Sequence, residues 1–252
     1  MRHPFFTSSH PLVFAHRGGA ALAPENTIDA FANGVALGAD GIELDVRASR
    51  DGRVVVHHDQ TLDRTTRLRG PVNQRLAAEL VEADVPELRT VLHEFRDVRV
   101  IVEIKLNDPA FGRLVVDELR RAKAVDRACV GAFSTSVLRA VRREEPTLAT
   151  SAAREEVRIA LYRSWLRWPI SRPAWDGYQV PERSGATRVV SRRFVEHADR
   201  AGLGVQVWTV NEEAQARRLL DWGVDALITD RPDVMVPLVR QYVRGAGLQP
   251  RR

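Results

Sequence analysis

The chain has 252 residues, 44% hydrophobic and 28% charged, an ordinary globular composition at a length that suits one large domain or two small ones. Its 38 Lys+Arg against 33 Asp+Glu leave a net charge of +5, a mild and dispersed excess that weakly favours anionic ligands and makes no case for nucleic acid. A single cysteine, Cys129, excludes an internal disulfide framework. No stretch is long and apolar enough to span a bilayer, and residues 1–12 lack an apolar signal core, so a cytoplasmic protein is expected.

Short apolar runs alternate with longer helical patterns along the chain. The runs fall at residues 12–15, 41–46, 54–57, 98–104, 129–133, 148–152, 178–180, 204–210 and 226–229, and helical periodicity at 27–37, 110–124, 136–145, 192–201 and 212–222. Gly38, Gly202 and Gly223 stand where those helices should stop. Strands alternating with helices imply a parallel sheet with helices outside. One connection is too short for a helix: Asp51-Gly52 is a hairpin signal, so residues 54–58 should fold back antiparallel on 42–46, bringing His57 and His58 opposite Glu43. Eight strands then remain, which predicts an α/β fold of the (β/α)8 barrel type, with an open doubly wound sheet as the alternative. Residues 60–92 break the rhythm and read as a small insertion covering the top of the barrel, with a helix over 88–95. One catalytic domain over residues 1–240 and a disordered tail over 241–252 complete the prediction.

Residues 154–175 hold Tyr162, Trp165, Trp168 and Trp175 among Arg154, Arg158, Arg163, Arg167 and Arg172. A basic helix with aromatic residues can lie on an anionic membrane surface. The commoner arrangement is a barrel helix whose aromatics pack on a neighbouring helix.

Charge gathers at the ends of the apolar runs. Glu43 and Asp45 are two apart on a strand and share a face, and Glu103 and Lys105 repeat the spacing on a later strand. One such acid would simply pair with an arginine. Three converging acids repel one another and are pushed up in pKa, a conflict that a hard divalent cation, Mg2+ or Ca2+, resolves through oxygen ligation. His16 and His58 end two runs that should be neighbours, and an imidazole pair suits acid–base work on a phosphate ester. His57 alternates to the other face and reads as structural. Arg17 follows His16, and its guanidinium matches phosphate oxygens. Glu25, Asn26 and Thr27 open the next helix, where Asn26 or Thr27 can cap it and Glu25 complements its dipole; Glu25 and Asn26 can also support His16 or the metal from behind.

At these residues the chain resembles the glycerophosphodiester phosphodiesterase family. The matching segments are His-Arg-Gly-Gly at 16–19, Pro-Glu-Asn-Thr at 24–27, Gly-Ala-Asp-Gly-Ile-Glu-Leu-Asp-Val at 38–46, and Asp-Gly-Arg-Val-Val-Val-His-His-Asp at 51–59. Val-Pro-Glu-Leu at 85–88, Glu-Ile-Lys at 103–105, Val-Trp-Thr-Val-Asn at 207–211 and Gly-Val-Asp-Ala-Leu-Ile-Thr-Asp-Arg-Pro at 223–232 complete the set. The resemblance implies a (β/α)8 barrel that hydrolyses glycerophosphodiesters to glycerol 3-phosphate and an alcohol with a divalent metal. It implies Glu43, Asp45 and Glu103 as metal ligands and His16 and His58 as the acid–base pair. Arg17 and Lys105 would be phosphate contacts, and Trp208 would line the substrate site. Three departures bear on substrate choice: a compact insertion, the run Gly131-Ala132-Phe133-Ser134, and the Trp/Arg-rich 154–175 segment. They keep a lysophospholipase D open as a rival. A non-catalytic phosphate- or membrane-binding barrel and a nucleic-acid phosphodiesterase are weaker alternatives.

Overall fold

In the computed structural model, which describes residues 2–171 and 173–246, each strand turns alternate residues to opposite faces, and the two faces have different jobs. The strands are β1 (Leu12–His16), β2 (Gly41–Ala48), β3 (Val54–Val56), β4 (Arg99–Ile104), β5 (Ala128–Ala132), β6 (Ala149–Thr150), β7 (Gly177–Pro181), β8 (Arg183–Ser184), β9 (Thr187–Arg188), β10 (Gly204–Trp208) and β11 (Ala226–Thr229). From β2 the residues Ile42, Leu44 and Val46, and from β4 the residues Val100, Val102 and Ile104, enter an apolar layer with the surrounding helices. Val13, Tyr178, Val180, Val205, Val207 and Leu227 do the same on the other side of the molecule. Each such fully buried side chain contributes roughly 1.5–3 kcal/mol of transfer free energy. The alternate residues face the lumen, where Leu12, Phe14, Ile101, Cys129, Ala149, Ala226 and Ile228 form a separate cluster.

The parallel strands run in the order β6-β5-β4-β2-β1-β11-β10-β7. A parallel bridge between Ser151 and Gly177 joins the two ends, supported by backbone bonds from Ala152 N to Gly177 O and from Asp176 N to Thr150 O, both 2.9 Å. The expected (β/α)8 barrel is therefore the fold. Its helices are α1 (Ile28–Ala36), α2 (Ala77–Val81), α3 (Leu88–Glu94), α4 (Pro109–Arg121), α5 (Thr135–Glu144), α6 (Arg154–Leu166), α7 (Arg192–Arg200), α8 (Glu213–Asp221) and α9 (Pro232–Ala246). Thr27 caps α1, accepting from Ala30 N. Of the two capping candidates it is Thr27 that serves, which leaves the Asn26 side chain for another role.

Three expectations are corrected, and one element appears that was not expected. The β2–β3 hairpin pairs Val46 with Val56 and Ala48 with Val54, because β2 runs on to Ala48 and the turn spans 49–53. His57 therefore lies beside Asp45, whose carbonyl accepts from His57 N at 2.9 Å, and not opposite Glu43. The insertion does not roof the barrel: it packs its own small core of Leu62, Val72, Ala77, Leu80 and Val85 against Val55 of β3. A short β8–β9 hairpin, not expected from the sequence, follows β7. The last helix reaches Ala246, so residues 241–246, assigned to a disordered tail, are helical; residues 247–252 lie outside the described residues, as does Arg172.

The floor of the barrel is closed from an unexpected direction. A turn of 3-10 helix, Pro4–Phe6, buries Phe5 and Phe6 in the lumen cluster, with Phe5 stacked 5.9 Å from Phe14. The Phe6 ring occupies the space where a side chain at Gly177 would stand, 2.5 Å from an ideal Cβ; only glycine lets the ring in. Replacing Phe6 with alanine should therefore open a cavity that the rigid strand ends cannot fill, lowering the unfolding free energy by about 3–5 kcal/mol. Equilibrium denaturant unfolding of the variant measures this.

Candidate active site

The C-terminal ends of the strands bring the charged residues together through the strand register. His16 of β1 pairs with Glu43 of β2, Asp45 of β2 with Glu103 of β4, and Glu103 with Gly131 of β5. Lumen-facing residues at paired positions are side-by-side neighbours. The side chains open into a cavity of about 500 Å³ lined by His16, Glu43, Asp45, Glu103, Lys105 and Trp208 on its charged side. Its other side is apolar, with Phe133, Val157, Val180, Pro181 and Val189.

Asp45 is the most heavily tied of these groups. It is 1% exposed; Lys105 Nζ lies 2.8 Å from Oδ1 and Arg17 Nε 3.2 Å from Oδ2. Asn26 donates from Nδ2 to Oδ2 at 3.0 Å, and its Oδ1 accepts from Asp45 N at 3.3 Å. Asn26 does this from a left-handed backbone, φ +61°, a conformation asparagine tolerates better than most residues. Burial pushes the Asp45 carboxyl up, but Lys105, Arg17 and His58 together hold it below its usual value. The other two acids go the opposite way. Burial and then Asp45 push Glu43 up against the opposing pull of His16 and Lys105. Burial takes Glu103 up to about 8, opposed by Lys105 and reinforced by Asp45 and Glu43. Glu103 needs its room: a Cβ at Gly131 would collide with the carboxylate and lie 2.9 Å from Gln179 Oε1.

Both histidines are oriented by an aspartate. His16 Nδ1 lies 2.6 Å from Asp230 Oδ1, leaving Nε2 facing Glu43 at 3.8 Å. Asp230 is held in turn by Asn211, which donates from Nδ2 to Oδ2 at 2.8 Å and accepts from Asp230 N at 2.9 Å. Burial alone would lower the His16 pKa, but Glu43 and Asp230 outweigh it and raise it. His58 Nδ1 lies 2.7 Å from Asp59 Oδ1. His57 is buried, with Nε2 3.1 Å from the Thr61 carbonyl; it has the structural role expected of it.

Arg17 and Glu25 stand behind this set. The Arg17 guanidinium bonds Glu25 Oε1 at 3.0 Å, and its backbone N donates to Glu43 Oε2 at 3.0 Å. Glu25 is also gripped by both terminal nitrogens of Arg64, at 2.9 and 2.6 Å, and Arg64 Nε reaches Asp59 at 2.7 Å. A continuous chain of charge thus runs from His58 through Asp59, Arg64, Glu25 and Arg17 to Asp45. Arg17 and His58 lie outside the cavity lining, Arg17 being engaged with the two carboxylates.

Asp59, Asp230, Asn211 and Arg64 were not picked out as site residues from the sequence. Asp59 adjoins His58, and Asp230 and Asn211 each end an apolar run, so the signal of charge at a strand end was present for them too. Arg64 carried none, because only the folded insertion brings it to Glu25.

Known proteins match the chain over most of its length. The family model described as glycerophosphoryl diester phosphodiesterase family matches residues 16–234. A glycerophosphodiester phosphodiesterase of Caldanaerobacter subterraneus subsp. tengcongensis is 30% identical, with 91% of this chain and 98% of that protein covered. One of Bacillus altitudinis is also 30% identical, over 90% of this chain and 97% of the relative. The crystal structure of a glycerophosphodiester phosphodiesterase from Agrobacterium tumefaciens superposes with a TM-score of 0.73 at 28% identity, covering 90% of this chain and 99% of that one. With a family match that spans the barrel from His16 beyond Asp230, the chain belongs to the glycerophosphoryl diester phosphodiesterase family.

Proposed function

We propose that the chain hydrolyses glycerophosphodiesters to glycerol 3-phosphate and an alcohol at this cavity, by acid–base catalysis between His16 in its wall and His58 outside its lining, with one divalent ion at Glu43, Asp45 and Glu103. The observation that carries the reading is the matched orientation of the two imidazoles. Each presents Nδ1 to an aspartate, Asp230 or Asp59. A carboxylate on Nδ1 keeps the proton there and leaves Nε2 to exchange one with the reacting group. Two relatives that share most of the chain's length, those of Caldanaerobacter subterraneus and Bacillus altitudinis, carry the name of this activity.

The donor set fits a hard cation such as Mg2+ or Ca2+ in kind. Three carboxylates line one cavity, and two of them, Glu43 and Glu103, are pushed up by burial and by neighbouring acids, the condition that a cation among oxygen ligands reverses. As the side chains stand, no three acidic, His or Cys groups among the described residues form a ready metal site. Asp45 is committed to Lys105, Arg17 and Asn26, so ligation there requires it to release a cationic partner. When bound, the ion would polarise the phosphoryl oxygens and offset their developing charge.

The residues then divide the work. Lys105, its Nζ at the cavity wall, binds a phosphate oxygen, and Arg17 adds positive charge from behind Asp45. Trp208 packs on the bound glycerol. One histidine takes the proton of the nucleophile, which is water or the substrate's own 2-hydroxyl; in the second case a cyclic phosphate forms first. The other histidine protonates the alkoxide as its P–O bond breaks. A second reading, a lysophospholipase D, is favoured by the apolar wall of Phe133, Val157, Val180, Pro181 and Val189, which could accept an acyl chain. Choline release from lysophosphatidylcholine, set against release from glycerophosphocholine, separates the two.

His16→Ala and His58→Ala should each lower kcat by roughly two to four orders of magnitude, measured as glycerol 3-phosphate release; near-normal turnover in both removes the acid–base assignment. Asp230→Ala, which frees the His16 ring, should lower kcat about tenfold to a hundredfold, the usual cost of losing a supporting carboxylate, with KM and the circular dichroism spectrum little changed. Treatment with EDTA should abolish turnover, and added Mg2+ or Ca2+ should restore it; an EDTA-insensitive enzyme would remove the ion from the mechanism.

A further inference from the structure

Helix α6 is packed the wrong way round for a barrel helix. Helix α4, by comparison, buries Phe111, Val115, Val116 and Leu119. Helix α6 buries Ala160, Leu161 and Ser164 but turns Ile159, Tyr162, Trp165 and Leu166 outward. Ile159, Tyr162, Trp165, Leu166 and, just past the helix end, Trp168 are five of the nine large apolar side chains exposed among the described residues; Leu166 is 72% and Trp168 62% exposed. All five are about half exposed or more, where aromatics of a barrel helix would be buried against a neighbouring helix. Tyr162 and Trp165 pack edge-to-face on each other, 5.3 Å apart.

The charge along this stretch of the chain has one sign. No Asp or Glu occurs from Val157 to Trp175, whereas Arg158, Arg163 and Arg167 lie within it. Arg158 and Arg167 are exposed, and Arg163 stands 5.9 Å from the Trp168 ring. The two acids of the first turn are already engaged, Glu155 with Thr135 and Glu156 with Arg142. The patch also continues to the cavity: Arg154, Arg158 and Tyr162 follow one another at i, i+4 along the helix, and Arg154 lines the cavity mouth, its guanidinium 5.0 Å from the exposed Phe133 ring.

We propose that the outer face of α6 docks on an anionic lipid surface, with Trp165, Leu166 and Trp168 entering the headgroup boundary and the arginines engaging phosphates. Tyr and Trp favour such a boundary, and a helix with this composition lies in its plane. A second copy of the chain fits less well, because a two-fold contact sets each patch against itself and would face arginines with arginines. The docking would bring the cavity mouth beside the membrane, and it does not depend on the reaction assigned above.

The test is sedimentation of the protein with extruded vesicles of phosphatidylglycerol and phosphatidylcholine, or of phosphatidylcholine alone, with the mass in solution measured by light scattering. Expected are a monomer, binding to the anionic vesicles that weakens with salt, and little binding to the neutral ones. Arg158→Glu should lower the partition coefficient by about fivefold or more, the equivalent of one arginine near the surface, and Trp165→Ser/Leu166→Ser should abolish binding while hydrolysis of a water-soluble substrate is unchanged. Equal binding to both vesicle types, no binding to either, or full binding by the double variant would overturn the proposal. So would a dimer that the double variant dissociates, since the face would then be an interface between copies.

Discussion

A carboxylate cannot sit almost wholly out of water without partners, and that of Asp45 has three: Lys105, Arg17 and the amide nitrogen of Asn26. Desolvating a charge costs several kcal/mol, and only close opposite charge and full hydrogen bonding repay it. That requirement dictates the form of the three segments around it. The turn after β1 bends so that Arg17 and Asn26, both at positive φ, point back at one oxygen. The end of β4 carries a lysine two residues beyond an acid. The backbone of β2 is held from the side by the same Asn26 that holds the carboxylate. Any one of these partners lost leaves a buried charge uncompensated, the costly state for such clusters.

The compensation is uneven, and that matters for the chemistry. The nearest cations go to Asp45, while Glu43 and Glu103 share the same cavity with less. One carboxylate is kept ionised and two are pushed up. Perturbation of this kind, built from burial and a specific neighbour, marks sites of function more often than sites of structure. The insertion joins the scheme as a brace and not as a lid: Arg64 ties Asp59, which orients His58, to Glu25, which orients Arg17. Half-exposed on its own, Arg64 gains its value from the rigidity it confers on both partners.

The barrel was legible in the sequence because parallel strands must alternate between a helix-facing and a lumen-facing side, and charged residues at the strand ends broke that alternation visibly. Glu43 with Asp45, Glu103 with Lys105, and His16 with Arg17 all announce themselves this way. What was not legible depended on distance in sequence or on a register shift. The hairpin register could not be read because β2 extends through Arg47 and Ala48, which do not look like strand residues. Asp230 meets His16 across 214 positions, and nothing local to Thr229-Asp230-Arg231 tells which face it will join. The outer face of α6 misled in the same way: aromatic residues at helical spacing resemble a buried stripe, and only their exposure reveals the reverse. The role of Pro4–Phe6 was invisible because a short apolar stretch without periodicity has no signature of its own.

That early segment has a consequence for how the chain reaches its native state. Arg2 bonds Asp225 across 223 positions, and Phe6 lies in the openings left by Gly177 and Gly204. On the ribosome these phenylalanines are therefore made well before Gly177 and Gly204, and they find their places only when those later strands have been made. Until then they are sticky, solvent-exposed groups on an unfinished sheet, which is the circumstance in which nascent chains associate wrongly. Such wide sequence separation also slows closure itself. The floor that rigidifies the finished enzyme is thus completed late, so the interval between translation of Phe6 and of Gly204 is the period in which a chaperone has most to contribute.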